Sequence, residues 1–120
     1  MLAKIQSGGV YGVEAFAVEI EVDAGGGEFK TVMVGLPDAA VKESCDRVIT
    51  ALKNSGLGFP DGRVTINLAP AEKKKEGPRF DLPIALGICT ANKVLPKEAL
   101  SGVMAIGELA LSGRVRPIRG

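Results

Sequence analysis

The sequence predicts a two-layer α/β domain with the element order β-β-β-α-β-α-β-β, and three observations carry that reading. From Val13 to Val22 apolar and polar residues alternate with period two, the signature of a half-buried strand. From Val41 to Leu52 the period changes to that of an α-helix. A second helical stretch, Leu82 to Ala91, is apolar nearly all round and so belongs beneath other elements. Hairpins and helices on one mixed sheet make two layers around one core.

Taken in order, residues 2–6 predict a short strand that Gly8-Gly9 breaks. Phe16, Val18, Ile20 and Val22 share one face of the second strand, with Ala17, Glu19 and Glu21 on the other. Asp23-Ala24-Gly25-Gly26-Gly27 is a hairpin signal, because glycine reaches positive φ without steric cost. Phe29 to Val34 is therefore expected to return as the partner of the second strand. After Gly35-Leu36-Pro37-Asp38, the residues Val41, Cys45, Val48, Ile49 and Leu52 form the apolar stripe of the first helix. Pro37 suits its first turn, Asp38 complements its positive end and Lys53 its negative end. Lys42–Asp46 and Glu43–Arg47 are i, i+4 pairs on its wet face, where Ser44 is also placed. Gly56 stops the helix, with Leu57 set for the hydrophobic contact of a Schellman motif. Val64, Ile66 and Leu68 alternate with Arg63, Thr65 and Asn67 in a further strand that Pro70 ends. Beyond a polar loop, Asp81 is expected to cap the second helix, which runs to about Lys93. Pro96 to Leu100 predicts one turn, and Val103–Glu108 with Arg114–Ile118 a last hairpin around Leu111-Ser112-Gly113.

At 120 residues the chain fits a single domain, residues 1–120. Its 46% hydrophobic and 24% charged content excludes a disordered chain. With no Trp, one Tyr and four Phe, the core must be aliphatic. An apolar run long enough to span a bilayer is lacking, and the start at Met1-Leu2-Ala3-Lys4 carries no signal-peptide pattern, so a cytoplasmic location with no membrane partner is expected. Cys45 and Cys89 stand in no pairing motif and read as reduced core thiols. Without histidine or a CxxC, no metal site is expected. No Gly-x-x-x-x-Gly-Lys-Ser/Thr string occurs, so these residues should hold no nucleotide cofactor and hydrolyse no ATP by themselves. Ser-His-Asp and Cys-His nucleophiles are excluded by the lack of histidine. The five serines read as turn or helix-surface residues, so no catalytic residue is assigned.

Net charge is +1, unevenly spread: residues 1–60 carry five Lys/Arg against eight Asp/Glu, and residues 61–120 ten against six. The basic half places Lys73, Lys74, Lys75 and Arg79 on one loop ahead of a helix N-terminus. Four cations beside a positive dipole end suit a phosphate backbone; a solvated loop in which Arg79 pairs with Asp81 or Glu76 is the other reading. Phe80 is the one aromatic interleaved with them. Arg114, Arg116 and Arg119 alternate on the last strand and so share a face, as a solvated surface or as a strip for phosphates or a neighbouring subunit.

Five strings then resemble the ComM/YifB family of magnesium-chelatase-like AAA+ ATPases. They are Val34-Gly35-Leu36-Pro37-Asp38-Ala39-Ala40-Val41-Lys42-Glu43-Ser44, Ala51-Leu52-Lys53-Asn54-Ser55-Gly56, Asn67-Leu68-Ala69-Pro70-Ala71, Lys75-Glu76-Gly77 with Arg79 to Gly87, and Gly107 to Gly113. The departures are Cys45, where arginine is common, and Pro78, where glycine is common. The resemblance implies a ribosomal protein S5 domain 2-like (Lon-like) fold. It also implies a following AAA+ module with its own ATP and Mg, before which this chain is expected to stop, and a hexameric ring formed through that module. DNA is the implied partner, through a branch-migration motor in competence and recombination. On this reading the 120 residues are a non-catalytic accessory domain contributing DNA contact or subunit packing. A free-standing S5-like nucleic-acid-binding or scaffold module is the alternative. Lys75-Glu76-Gly77-Pro78 also resembles the Lon protease domain, where a serine nucleophile follows Gly-Pro. Here Arg79 takes that place, and a guanidinium is neither nucleophile nor base, which argues against a Lon-type peptidase.

Overall fold

A computed structural model of the chain describes residues 1–118. The elements are β1 (Leu2–Tyr11), β2 (Glu14–Ala24), β3 (Lys30–Val34), α1 (Ala39–Asn54), β4 (Arg63–Ala69), α2 (Asp81–Ala91), β5 (Glu108–Leu109) and β6 (Val115–Arg116). Single 3₁₀ turns cover Pro78–Phe80 and Lys97–Leu100. The expected two-layer α/β arrangement is what forms.

The main sheet has the order β1-β2-β4-β3, with β3–β4 parallel and the other pairs antiparallel. Its register lines up one apolar row after another: Ile5 faces Ile20, which faces Leu68, and Ala3 faces Val22, which faces Ile66. All six are buried. The helices cover this face. Nine of the eleven residues of α2 are buried, as its apolar circumference predicts. Gly87 permits the approach, since a Cβ there would stand 2.7 Å from Val22 Cγ2. The opposite face carries Lys4, Glu19, Glu21 and Asn67. Asn67 donates to Glu21 at 2.8 Å, and Lys4 lies 3.8 Å from Glu19. One dry and one wet face is the usual state of a sheet with antiparallel strands.

Helix α1 follows most of its sequence signals, although Pro37 lies just before the N-cap, bridged to Lys75, and not in the first turn. Asp38 is the N-cap, and its Oδ1 accepts from Val41 N at 2.8 Å. At the other end Gly56 sits at φ 74°, Leu57 N donates to Leu52 O at 3.0 Å and Gly56 N to Lys53 O at 3.1 Å. That is the predicted Schellman pair.

The structure corrects four expectations. Strand β1 does not stop at Gly8-Gly9 but runs to Tyr11. Gly9 faces Phe16 across the hairpin, and any Cβ there would lie 2.6 Å from the ring. Strand β3 does not pair with β2; β4 inserts between them. Asp81 does not cap α2 but is its first residue, with Phe80 as N-cap, and the helix ends at Ala91. The final hairpin is short, and the segment before it instead runs beside β1, where Ala105 N donates to Gln6 O at 2.9 Å.

Candidate nucleic-acid interface

The loop after β4 is fixed from within by the residue expected to be among its exposed cations. Lys75 is fully buried. Its backbone N donates to Leu36 O and its carbonyl accepts from Asp38 N, each at 2.9 Å, which stitches the loop to the start of α1. Its ammonium turns inward and donates to Pro70 O. Gly77 N adds a 3.3 Å bond to Asp38 Oδ2. Burial pushes the Lys75 pKa down, and the nearby charge of Glu72 only partly opposes this. Lys75 is thus withdrawn from the cationic surface: a lysine run reads as solvated in sequence, but here the backbone bridge decides where the side chain goes.

Lys73 and Lys74 remain exposed. With Glu72 they form one wall of a cleft of about 370 Å³, whose other wall is the tip of the β1–β2 hairpin: Tyr11, Glu14, Ala15 and Phe16. The Lys73 ammonium lies 4.8 Å from the centre of the Phe16 ring, within cation–π range. Phe80, the aromatic expected to serve this loop, is fully buried in the core. Tyr11 and Phe16 are the aromatics that line the cleft, and the sequence reading missed both. Its one available clue was a lone tyrosine beside a glycine in an otherwise aliphatic chain.

The remaining arginines lie apart from this cleft. Arg79, in the 3₁₀ turn, is partly exposed and lines a second cleft of about 290 Å³ with Pro78, Glu108, Pro117 and Ile118. Arg116 is exposed and lies 3.9 Å from Glu108 across the last hairpin, a loose surface pair. Arg114 is exposed on the same hairpin. Arg119 falls outside the described residues. Among the described residues, the predicted cations therefore form separate groups and not one patch.

Arg79 does not take Asp81 as partner, because Asp81 is committed elsewhere. Fully buried, it accepts from Arg47 Nε at 2.8 Å and Nη2 at 3.0 Å, from Ser44 Oγ at 2.5 Å and from Leu109 N at 3.1 Å. The bond to Asp81 raises the Arg47 pKa, with burial opposing it, and Glu43 joins from the rim at 3.6 Å. Ser44, expected on the wet side of α1, is buried inside this network. It ties α1, α2 and β5 together and so sets where the 3₁₀ turn carrying Arg79 sits. Cys45 and Cys89 are free thiols whose pKa values burial pushes up, which suits inert packing groups.

Residues 18–120 match the protein family described as subunit ChlI of Mg-chelatase. The chain is 45% identical over 119 residues to the competence protein ComM of Haemophilus influenzae, covering 99% of this chain and 23% of that protein. It is 44% identical over 119 residues to the uncharacterized protein YifB of Salmonella typhimurium, covering 99% of this chain and 24% of the relative. An uncharacterized Mycobacterium tuberculosis protein is 42% identical with the same coverage. The chain thus spans about a quarter of the length of the relatives it matches. With that family match extending over most of its residues, the chain belongs to the family of Mg-chelatase subunit ChlI.

Proposed function

We propose that these 120 residues are a non-catalytic accessory domain of a longer magnesium-chelatase-like AAA+ ATPase of the ComM/YifB type, and that they contact DNA. The observation that carries this reading is the pair Lys73 and Lys74, exposed together at the rim of a cleft and held there by the buried backbone bridge of Lys75. Two ammonium groups on a braced loop suit phosphate contact, because the loop loses little freedom on binding. Family membership and a relative named as a competence protein support the setting. ATP and Mg²⁺ belong, on this proposal, to a nucleotide-binding module of the longer protein, which would also form the hexameric ring. Arg79 and Arg114 are secondary contacts. Arg116 is the weakest candidate, since the carboxylate of Glu108 stands 3.9 Å from it and would also face an incoming phosphate.

The test is fluorescence anisotropy of labelled single-stranded and duplex DNA from about 50 to 200 mM salt. The expected result is salt-sensitive binding that the double variant Lys73→Ala/Lys74→Ala weakens, with the salt slope falling by about one unit per lysine. An unchanged slope would overturn the assignment of these lysines. Absence of binding at low salt would favour subunit packing instead. That reading has its own support in the exposed Val10, Val13, Met104 and Ile106, and it predicts self-association in sedimentation.

A further inference from the structure

Resting on the DNA-contact reading, we infer that the cleft between the β1–β2 tip and the 70–77 loop takes one unstacked nucleotide of a single strand. Its base lies against Tyr11 and its phosphate meets Lys73 and Lys74. Tyr11 is 79% exposed in a chain whose other aromatics are all more covered. Its backbone is firmly placed. Ten consecutive residue pairs, Leu2–Asp23 to Tyr11–Glu14, fix the hairpin, and Gly12 at φ 61° closes it with a two-residue turn. Phe16 forms a braced floor, packed against Gly9 on one side, where no Cβ would fit, and beneath the Lys73 ammonium on the other. An aromatic carried on a backbone fixed in advance leaves only its own side-chain freedom to lose when a base stacks on it, and stacking tolerates any base because every base has a π-face.

Size and charge select the single strand. A cleft of about 370 Å³ admits one nucleotide unit, and only a base free of its complement can enter it. Glu14 and Glu72 share the rim with the two lysines. Their carboxylates accept from base N–H groups but repel the second phosphate backbone that a duplex would bring.

The chain supplies its own probe. Tyr11 is the only tyrosine and there is no tryptophan, so intrinsic emission reports on this cleft alone. Unlabelled oligothymidylate and a hairpin duplex of equal length are titrated into the protein, with emission corrected for absorbance by the DNA. The single strand is expected to quench Tyr11, and the duplex to leave it largely unchanged. Tyr11→Ala should weaken single-strand binding roughly tenfold while sparing duplex binding, and Tyr11→Phe should retain most of the affinity. If Tyr11→Ala binds single strands as the wild type does, and emission stays flat at saturation, the stacking site is refuted. Lysine-dependent, salt-sensitive binding would in that case leave the DNA-contact reading standing. If neither DNA binds, both fall together. Circular dichroism of Tyr11→Ala checks that the fold is intact.

Discussion

The buried carboxylate Asp81 offers the sharpest test of what holds this domain together. Asp81→Ala removes four hydrogen bonds at once, two of them from Arg47. The loss is not merely that of four contacts. Ser44 Oγ and Leu109 N are left as donors in a dry site, and the Arg47 side chain, only 24% exposed, retains a charge that Glu43 at 3.6 Å answers poorly. Breaking a buried pair from one side costs about 3–5 kcal/mol, a large fraction of the roughly 5–15 kcal/mol that holds an ordinary domain. Urea unfolding, with a slope of about 1–3 kcal/mol per molar, turns that into a midpoint shift of at least about 1 M. Glu43→Ala touches only the exposed rim of the same network and should cost about 0–1 kcal/mol. The double variant Arg47→Met/Asp81→Leu should be less damaged than the sum of its single changes, because no orphan charge remains. If Asp81→Ala moved the midpoint no further than Glu43→Ala, the network would contribute nothing beyond a surface pair and the reasoning would fail.

Two further outcomes are expected. Gly35→Ala should destabilise by about 3 kcal/mol or more, because the residue stands at φ 106° and its Cβ would lie 2.1 Å from Leu68 O in an inner strand. Gly26→Ala, where a Cβ meets nothing, should be nearly neutral in the same urea unfolding assay, and equal midpoints for the two variants would contradict this. The buried Lys75 should leave a mark on alkaline stability. Its folded pKa is lowered from 10.5, so between that lowered value and 10.5 the unfolded chain binds more protons and stability rises with pH. Below the window, the whole cost of burying the ammonium is present. The two thiols act the other way, their stabilising contribution being lost as pH rises above 9.0, but they are the same in a Lys75→Met variant and cancel in the comparison. Wild type should therefore gain on Lys75→Met as pH climbs towards 10.5. A difference that stays flat with pH would mean that Lys75 is not internal.

What the sequence made legible was what is local in the chain. Period-two residues such as Val18, Ile20 and Val22, and the helical stripe Val41, Val48 and Leu52, all point inward as read. Asp38 and Gly56 cap α1 as their chemistry dictates. What stayed hidden depends on partners distant in sequence. Gly8-Gly9 looked like a break because the ring of Phe16, which requires a glycine opposite it, is brought there only by the hairpin. The Gly25–Gly27 turn was visible, but not that β4 would occupy the place beside β2. Within the site, Lys73 and Lys74 were legible as exposed cations. Lys75 was not legible as a buried one, because its amide donates to Leu36 O and its carbonyl accepts from Asp38 N, partners far away in sequence. Ser44 and Asp81, 37 positions apart, meet only once both helices lie on the sheet.

The strand order β1-β2-β4-β3 also sets a timetable for a nascent chain. The β1–β2 hairpin needs only the first 24 residues and can close as soon as they emerge, since its contacts are local. Strand β3 has no neighbour until β4 follows it, because the strand it joins is made last of the four. Even the finished sheet leaves Val18, Ile20 and Val22 uncovered until α2 has been synthesised through Ala91. At about 5–20 residues per second, the hairpin waits roughly 3–13 s with an apolar face open to solvent. During that interval its greasy side is a target for holding chaperones and for other unfinished chains, and the pace of translation from Ala24 to Ala91 becomes part of how safely this domain is made.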